Sequence, residues 1–247
     1  MNMENHDDLF EFEALGAAKN YRKTILQRFS PFLRGTVIEI GSGVGQFSRL
    51  LGRADNVSAL HCVEPDERYH ESLRCAAEGC VIHAGTIHDV PRDIAPAAIV
   101  SINVLEHIEN DEEELVEYAR RLAPERGHFC VFTPAGPGLY APIDRRFGHF
   151  RRYSRKGLVK KLEQAGFDVV DARYFNFVGY FLWWLEFCII QKAQFNVRKV
   201  AVFDRYCFPV IAAIERLCPP PLGQSVMVVA RARVQRVEDA KRTSQNV

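Results

Sequence analysis

Three glycines at alternate positions form the stretch of this sequence with the clearest chemical meaning. Gly41, Gly43 and Gly45 follow a β-branched run that is typical of a buried parallel strand. Ser42 lies inside this turn, and Glu39 stands two positions before the first glycine. A glycine turn between a strand and a helix lets a ligand approach the backbone, where N–H groups at the helix start face it. The pattern therefore predicts a ligand-binding turn.

An acidic residue follows at a spacing that suits a ribose. Glu64 ends the next predicted strand, 23 residues after Gly41, and Pro65 comes directly after it. An acidic residue about 20 positions beyond a glycine turn commonly accepts hydrogen bonds from ribose hydroxyls. Alone, Glu64 could equally be a solvated loop carboxylate. Together with the glycine turn, it predicts a ribose-binding residue.

Two histidines are candidates for moving a proton. Residues 103–108 read Asn-Val-Leu-Glu-His-Ile after the fourth predicted strand, which puts His107 beside the expected site. His149 lies in a long loop, 133–153, after the fifth strand. A neutral imidazole can take a proton from a hydroxyl near pH 7. A lone histidine is more often structural, so both interpretations stay open for each residue.

The same loop carries a local basic cluster in a nearly neutral chain. Six Lys and Arg residues lie between positions 145 and 156. Arginine presents a fixed fork of donors suited to carboxylate or phosphate, so Arg151 and Arg152 could clamp an anionic substrate. Alternatively, these two arginines tie the loop to Asp144 and to helix carboxylates.

The elements that must position these residues alternate along the chain. Strands are predicted near 37–40, 57–63, 80–83, 97–102, 128–132, 167–174 and 225–234, with helices between most of them. Such alternation predicts an α/β fold with a mostly parallel sheet and helices on both faces. In these sheets ligands bind outside the carboxyl ends of the strands, which is where the residues above cluster. Before the last strand, 175–221 is an aromatic-rich helical insertion that could cap the site, form a dimer surface or lie on a membrane.

Composition limits the class of protein. The 247 residues suit one domain over 1–247, and a net charge of +1 gives no reason to expect nucleic acid. The seven cysteines include no C-x-x-C pair, which favours reduced thiols in a cytoplasmic protein over a disulfide framework, and no metal site is expected. The most apolar stretch, 180–190, is too short to span a bilayer, although peripheral membrane contact stays possible.

The glycine turn identifies a family resemblance. The stretch Glu39-Ile40-Gly41-Ser42-Gly43-Val44-Gly45 resembles motif I (E/D-x-G-x-G-x-G) of class I S-adenosylmethionine (SAM)-dependent methyltransferases. The Asn-Val-Leu-Glu-His-Ile stretch is similar to a signature after the fourth strand of the same superfamily. The resemblance implies a doubly wound, Rossmann-like, seven-stranded sheet, SAM as cofactor and S-adenosylhomocysteine as product. Its implied cofactor-binding residues are Tyr21, Glu39, Gly41, Ser42, Gly43, Gly45, Glu64, Pro65, Gly85, Thr86, Ile87, Asn103 and Val104.

Two details of the resemblance concern specificity. Many methyltransferases have an Asp in the position of Thr86, near the adenine, so this chain departs from the family there. The loop resembles the P-A-x-x-x-L-Y-x-x-x-D-x-x-x-G-H-x-R-R-Y stretch of bacterial methyltransferases often found near glycan and natural-product pathways. It implies a small-molecule acceptor, either anionic or linked to a lipid or glycan. The implied substrate-binding residues are Tyr140, Asp144, Arg151, Arg152 and Tyr153.

Several alternatives stay open. A nicotinamide-dependent dehydrogenase is disfavoured because the G-x-G-x-x-G spacing is missing. A non-catalytic SAM-fold scaffold or partner protein would keep the fold without the reaction. Methylation of protein or nucleic acid is a further alternative, although no RNA-binding module accompanies the domain. Whether the chain acts as a monomer or a homodimer is not decided by the sequence.

Overall fold

One seven-stranded sheet organises the protein, which we describe from a computed structural model over residues 12–234. The strand order is β3-β2-β1-β4-β5-β7-β6. All neighbouring strands are parallel except for β7, which runs antiparallel to both β5 and β6. The predicted fold class is thereby confirmed. The strands are β1 (Gly35–Ile40), β2 (Val57–Glu64), β3 (Val81–Ala84), β4 (Ala98–Ile102), β5 (His128–Pro134), β6 (Phe167–Phe175) and β7 (Ser225–Ala232).

Helices connect the strands and cover both faces of the sheet. The first is a short segment at the start of the described chain, and the last three lie between β6 and β7. The helices are α1 (12–17), α2 (Lys19–Phe29), α3 (Ser48–Leu51), α4 (His70–Ala76), α5 (Asp111–Leu122), α6 (Pro142–Arg146), α7 (Arg155–Gln164), α8 (Phe177–Trp183), α9 (Val197–Val202) and α10 (Phe208–Leu217).

The apolar run of β1 reflects its burial on both faces. Ile38 packs in a core with residues of α5 and α7, such as Leu115 and Leu158. Val37 faces the other way and packs in a second core with residues of α2, such as Ile25 and Phe29. Side chains alternate across a strand, so a strand covered on both faces must be apolar at successive positions. The sheet is thus rigid where its carboxyl edge holds the site.

The order in which strands are added to the sheet reverses between β1 and β4, which are neighbours. After β1 the chain builds β2 and β3 on one side, and then returns to build β4 and β5 on the other. This is the topological switch point, where ligands bind in open α/β sheets. Backbone bonds hold the loops there: the N–H of Gly41 donates to the carbonyl of Val63, and the N–H of Asn103 donates to that of Phe132.

Two segments differ in detail from the sequence-based expectations. The predicted long loop 133–153 contains α6. In the insertion, α8 continues into π-helical turns at Trp184–Ile189, and α9 joins α10 through π-helical turns at Phe203–Cys207. The division into a single domain carrying this insertion stays a prediction. None of the helices in the described part of the chain is long and apolar enough to cross a membrane.

Candidate active site at the carboxyl edge of the sheet

A cavity of about 400 Å³ lies at the switch point, against the glycine turn. Its walls come from the loops after β1, β2, β3 and β4, together with α1. Ten of the predicted cofactor-binding residues line it. They are Glu39, Gly41, Ser42, Gly43, Glu64, Pro65, Gly85, Thr86, Asn103 and Val104.

Close packing explains the first glycine of the turn. Gly41 has a φ of +66°, a conformation that residues with a side chain rarely adopt. A Cβ atom at this position would also collide with the side chain of Val104, which lines the cavity. Val104 can pack against the backbone of residue 41 because this residue has no side chain. The backbone of Gly41 also lines the cavity.

Glu64 shapes the turn while facing the cavity. Its Oε2 accepts a hydrogen bond of 2.7 Å from the N–H of Gly43, and its Oε1 accepts one of 2.9 Å from the N–H of Asp66. Burial raises the pKa of this carboxyl, while the two backbone donors act against the rise. Because each carboxylate oxygen can accept a second hydrogen bond, Glu64 retains the capacity to bind ribose hydroxyls.

Glu39 lies behind the turn, where it is buried. Its Oε2 accepts a hydrogen bond from the hydroxyl of Ser48, and the thiol of Cys62 lies 3.8 Å from the same oxygen. Burial raises the pKa of Glu39 from its ordinary value to about 7, although the hydrogen bonds oppose this. The carboxyl thus supports α3 and the wall of the cavity from within the core.

Three predicted cofactor residues do not line this cavity, and two of them, Gly45 and Ile87, pack beside it. Gly45 has a φ of +81° and faces α4, where an added Cβ would lie 2.6 Å from the Cβ of Ala76. The third glycine thus permits close packing of the turn on α4. Ile87 is fully buried in the core under Thr86, so its side chain supports the loop after β3.

Tyr21, predicted to bind the cofactor, lines a second cavity and not this one. Its hydroxyl is 3.2 Å from the hydroxyl of Ser225, and its ring packs edge to face against Phe132 and Phe175. Asp204, from the insertion, accepts the backbone N–H of Tyr21 at 2.8 Å. These contacts turn the side chain toward this second cavity, because the helix that carries it is anchored to the insertion.

Residues of α1 close the cofactor cavity instead. Phe12 and Leu15 line it, and the ring of Phe12 packs edge to face on Tyr69 with centroids 5.2 Å apart. The side-chain amide of Gln46 donates to the carbonyl of Phe12 at 2.7 Å. Sequence reasoning missed this element, although Phe12 and Leu15 stand three positions apart, on one face of a helix.

The second cavity, of about 450 Å³, lies between the sheet edge and the insertion. Its walls are mostly apolar and aromatic, and its polar groups include Tyr21, Asn103, His149, Arg152 and Ser225. Leu182 and Lys199 line it and are themselves exposed, so the cavity meets the protein surface beside them. The aromatic wall residues are Phe147, Trp183, Phe187, Phe195, Phe203 and Phe208.

The two cavities meet at Asn103, which lines both. This residue has a φ of +53°, in the left-handed region that Asn tolerates better than most residues. His107 lines the cofactor cavity and His149 lines the second one, with their rings edge to face and centroids 4.7 Å apart. Burial, together with the neighbouring His149, lowers the pKa of His107 from its ordinary value to about 4.

A buried network orients His149. Oδ1 of Asp144 lies 2.9 Å from Nδ1 of His149 and accepts a 2.8 Å hydrogen bond from Nε of Arg152. Although burial opposes ionisation, these partners lower the pKa of Asp144 below its ordinary value. The guanidinium of Arg152 also stacks 4.1 Å above the ring of Trp183. Arg152 therefore lines the second cavity while bonded to Asp144.

The other predicted substrate residues contact other parts of the protein, and their role in substrate binding stays a prediction. Arg151 forms a salt bridge of 2.8 Å with Asp111, the first residue of α5, and lies outside both cavities. The hydroxyl of Tyr153 donates to the same Asp111 at 2.7 Å, and that of Tyr140 donates to the carbonyl of His149 at 2.7 Å. These contacts fit the interpretation in which the two arginines bind carboxylates of the protein and hold the loop in place.

Glu106 lies buried between β5 and the two histidines. Its Oε2 accepts a 3.0 Å hydrogen bond from the hydroxyl of Thr133. Its Oε1 is buried and has no hydrogen-bond partner among residues 12–234. Glu106, His107 and His149 each place one potential ligand atom within 4.8 Å of the others. The sequence predicts no metal site, whereas the folded chain brings three potential metal ligands together.

Comparison with a protein-family model decides the class. A model described as a methyltransferase domain matches residues 16–172, more than half of the chain. The chain belongs to this methyltransferase family. It is an enzyme of the transferase class, and the matched residues contain the glycine turn, Glu64, Asn103 and both histidines. No curated protein matches the sequence.

Solved structures show the same fold in distant proteins. A chain from the complex of the Haloferax volcanii Trm112 methyltransferase activator with a candidate methyltransferase has a TM-score of 0.64 at 16% identity, covering 95% of this chain and 99% of that chain. An S-adenosylmethionine-dependent methyltransferase from Mesorhizobium loti has a TM-score of 0.54 at 17% identity, covering 87% and 97%. The (4+2)-cyclase SpnF has a TM-score of 0.58 at 17% identity, covering 87% and 81%. Identities this low establish the fold alone.

Proposed function

We propose that this methyltransferase transfers a methyl group from SAM to a hydroxyl group of a small, largely apolar acceptor. The observation that carries the proposal is the meeting of two cavities at Asn103, one against the glycine turn and one with aromatic walls. The first suits a nucleoside cofactor and the second suits an apolar molecule whose polar end reaches Asn103 and His149.

The residues of the first cavity fit SAM. The backbone of Gly41 lines the cavity, and the carboxylate of Glu64 faces the space where ribose hydroxyls would bind. Gln46 adds a buried amide oxygen that has no hydrogen-bond partner within the described chain. Both Thr86 and Gly85 line the end where the resemblance expects the adenine.

Methyl transfer requires little covalent chemistry from the protein. When bound, SAM supplies an electrophilic methyl group: the acceptor oxygen forms a bond to its carbon as the carbon–sulfur bond breaks, and sulfur keeps the electron pair. The protein must align the acceptor and exclude water, which is a large part of the rate enhancement in such reactions. Here the aromatic walls hold the acceptor, while His107 and His149 lie where its hydroxyl proton must leave.

The structure argues against an anionic clamp as the basis of acceptor recognition. Arg151 lies outside both cavities, and Arg152 is bonded to Asp144 and to the carbonyl of Ala135. A charged acceptor would have to compete with a buried carboxylate for the same guanidinium. An apolar acceptor needs no such exchange, because six aromatic side chains already form the wall.

The test is a matched panel of acceptors. The protein is incubated with SAM bearing an isotopically labelled methyl group and with alkylphenols, long-chain alcohols, and the amines and carboxylates of the same skeletons. We expect S-adenosylhomocysteine to form and label to appear on hydroxyl compounds. Labelling confined to carboxylates or amines would overturn the acceptor assignment. Tight binding of S-adenosylhomocysteine without turnover on any compound would favour the non-catalytic scaffold instead.

We further propose that the insertion lies on an anionic lipid surface, from which an apolar acceptor could enter. Its exposed charges are basic, namely Arg198, Lys199, Arg205 and Arg216. Two of its three acidic residues, Asp204 and Glu215, are buried, and the third, Glu186, is half-buried and forms a salt bridge with Lys192. A helical surface with exposed apolar and basic side chains is typical of interfacial membrane binding. The exposed apolar residues are Val178, Phe181, Leu182, Trp184, Leu185, Ile189, Ile190, Val202, Tyr206, Val210, Ile214 and Leu217.

Anchoring within the insertion explains this distribution of charge. Asp204 accepts the backbone N–H groups of Asn20 and Tyr21, and Glu215 accepts those of Asn176 and Phe177. These two carboxylates bind backbone N–H groups and fix the helices, which leaves a mainly positive outer face.

The seven cysteines are all free thiols, as a reducing cytoplasm would keep them.

Vesicle flotation tests the membrane contact. We expect the protein to float with vesicles containing phosphatidylglycerol, and less with phosphatidylcholine alone. Trp184→Ser combined with Leu185→Ser should reduce flotation at least fivefold, whereas Val116→Ser, at an equally exposed site on α5, should not. Equal flotation of both variants would refute the contact. Light scattering on the same samples detects the other outcome, a homodimer that the double variant converts to monomers, which would make this face a dimer interface.

A further inference from the structure

We propose that Glu106, His107 and His149 bind one divalent transition-metal ion at the junction of the two cavities, where the ion binds the oxygen of the acceptor. The inference rests on the proposed function, because it assigns the acceptor hydroxyl to that junction. It departs from the sequence-based expectation of no metal site, since no local spacing connects positions 107 and 149.

The donor set is the first argument. One carboxylate and two imidazoles are ligands that Mn, Fe, Co and Zn ions accept, whereas Mg²⁺ and Ca²⁺ prefer oxygen atoms. The potential ligand atoms of the three residues lie within 4.8 Å of one another. Ligands about 2.0–2.2 Å from one ion are roughly 3–4 Å apart, so small side-chain rotations would complete the site.

The buried oxygen of Glu106 is the second argument. Oε1 lacks a hydrogen-bond partner in the described structure, although the residue is completely buried. A buried polar atom without a partner is costly, and native proteins keep few of them without a reason. Thr133 already holds Oε2, which leaves Oε1 as the atom that an ion could bind.

The partners of His149 are the third argument. Metal-binding histidines usually donate the N–H of their other ring nitrogen to a carboxylate, which orients the ring. Asp144 occupies this position, with Oδ1 2.9 Å from Nδ1 of His149. Arg152 and the N–H of Ala141 hold Asp144 in turn, at 2.8 Å each. The ring nitrogen that could bind a metal is therefore Nε2.

The location suggests what the ion would do. His107 lines the cofactor cavity and His149 lines the acceptor cavity, so an ion between them borders both. Three protein ligands leave coordination positions open for an oxygen of the acceptor. A bound ion lowers the pKa of a coordinated hydroxyl, and its proton passes to water. The resulting oxygen nucleophile is held at the junction, where it attacks the methyl carbon.

Cobalt binding gives a readout that does not need the acceptor. Metal is removed by dialysis against a chelator, and Co²⁺ is added while the visible absorption of the bound ion is recorded. Calorimetry with Zn²⁺ measures the stoichiometry. We expect one equivalent to bind, and Glu106→Gln and His107→Gln each to weaken binding at least tenfold. His107 is less buried than Glu106, so its variant should fold even if the Glu106 variant does not.

A second imidazole pair supplies the matched control. Nδ1 of His61 lies 2.9 Å from Nε2 of His83 on neighbouring strands, where an ion could bind adventitiously. His61→Gln with His83→Gln should leave the one-equivalent Co²⁺ signal unchanged. Loss of that signal in this control, or its persistence in both site variants, would overturn the proposal.

Affinity for S-adenosylhomocysteine, measured on metal-free protein, separates this proposal from the proposed function. Binding of S-adenosylhomocysteine with no binding of Co²⁺ or Zn²⁺ would refute the metal site and leave the methyltransferase assignment intact. Failure to bind S-adenosylhomocysteine would refute the proposed function. One equivalent of Co²⁺ that depends on Glu106 and His107 would support the metal site.

Discussion

Oδ1 of Asp144 lies 2.9 Å from Nδ1 of His149, deep in the loop that follows β5. Both side chains are almost completely buried, at 0% and 3% exposed. The contact decides which nitrogen of the ring faces the junction of the two cavities, although Asp144 itself lines neither. Asp144 is therefore a positioning residue.

Asp144→Asn should separate positioning from cofactor binding. An amide can donate to Nδ1 as well as accept from it, so the ring loses its fixed orientation, and kcat for methyl transfer should fall at least tenfold. Affinity for S-adenosylhomocysteine should stay within twofold, because the change lies outside that cavity. Asp168→Asn, at an exposed salt bridge with Arg233, is the control and should change neither quantity. A purely structural Asp144 predicts unchanged kcat per molecule of cofactor-binding protein.

The two neighbouring arginines should respond differently to the same change. Arg151→Gln removes a half-exposed salt bridge to Asp111 and should cost about 0–1 kcal/mol of unfolding free energy. Arg152→Gln leaves the buried carboxylate of Asp144 without its charged partner and should cost about 3–5 kcal/mol. Chemical denaturation of the pair measures both values.

Kinetics on the same pair tests the anionic clamp. Arg151→Gln should leave the KM for the acceptor unchanged, because this side chain lies outside both cavities. A large rise in that KM, with normal stability, would contradict our interpretation and restore Arg151 as an acceptor-binding residue.

Local sequence patterns were sufficient to predict that ten of the proposed cofactor-binding residues line one cavity. Gly41 and Asn103 each follow a strand and Glu64 ends one, and the carboxyl ends of parallel strands meet at one edge, so spacing along the chain places them together. The same local argument could not show that Gly45 packs on α4 or that Ile87 is buried in the core. Their roles in cofactor binding stay predictions.

The residues that line the second cavity are brought together by contacts between segments far apart in the sequence. Local sequence patterns could not predict those contacts. Tyr21 faces the second cavity because Asp204, 183 positions later, holds its backbone. Arg151 is paired with Asp111 because a distant helix begins beside the loop. His107 and His149 stand 42 positions apart with no motif to relate them, so only the folded chain shows their contact.

Glu64→Gln tests the ribose assignment. The amide cannot accept at both ends, so it loses a bond to a backbone N–H or to a ribose hydroxyl, each worth about 1.5–3 kcal/mol when the acceptor is charged. Calorimetry should show S-adenosylhomocysteine binding roughly ten- to a hundredfold more weakly. Glu67→Gln, three residues away on the exposed surface, should bind as the wild type does. Equal affinities for Glu64→Gln and wild type would remove the assignment.

Glu39→Gln should stabilise the cofactor-free protein, and more so as the pH rises. Burial raises the pKa of Glu39 to about 7 in the folded protein, whereas in the unfolded chain it is about 4.5. Folding therefore takes up a proton between these values, and the contribution of Glu39 to stability decreases from about pH 4.5 to pH 7 and then levels off. The amide of the Glu39→Gln variant does not titrate, so the stability of the variant does not decrease in this way.

The measurement compares Tm of wild type and Glu39→Gln at pH 5 and pH 8. The advantage of the variant should be larger at pH 8, with an upper limit of about 3 kcal/mol, since one pKa unit corresponds to about 1.4 kcal/mol. Glu13→Gln, at an exposed position, should show no such difference. An advantage that is equal at pH 5 and pH 8 would mean that folding does not raise the pKa of Glu39, since a folded-state pKa at or below the ordinary value confines the change in stability to more acidic pH.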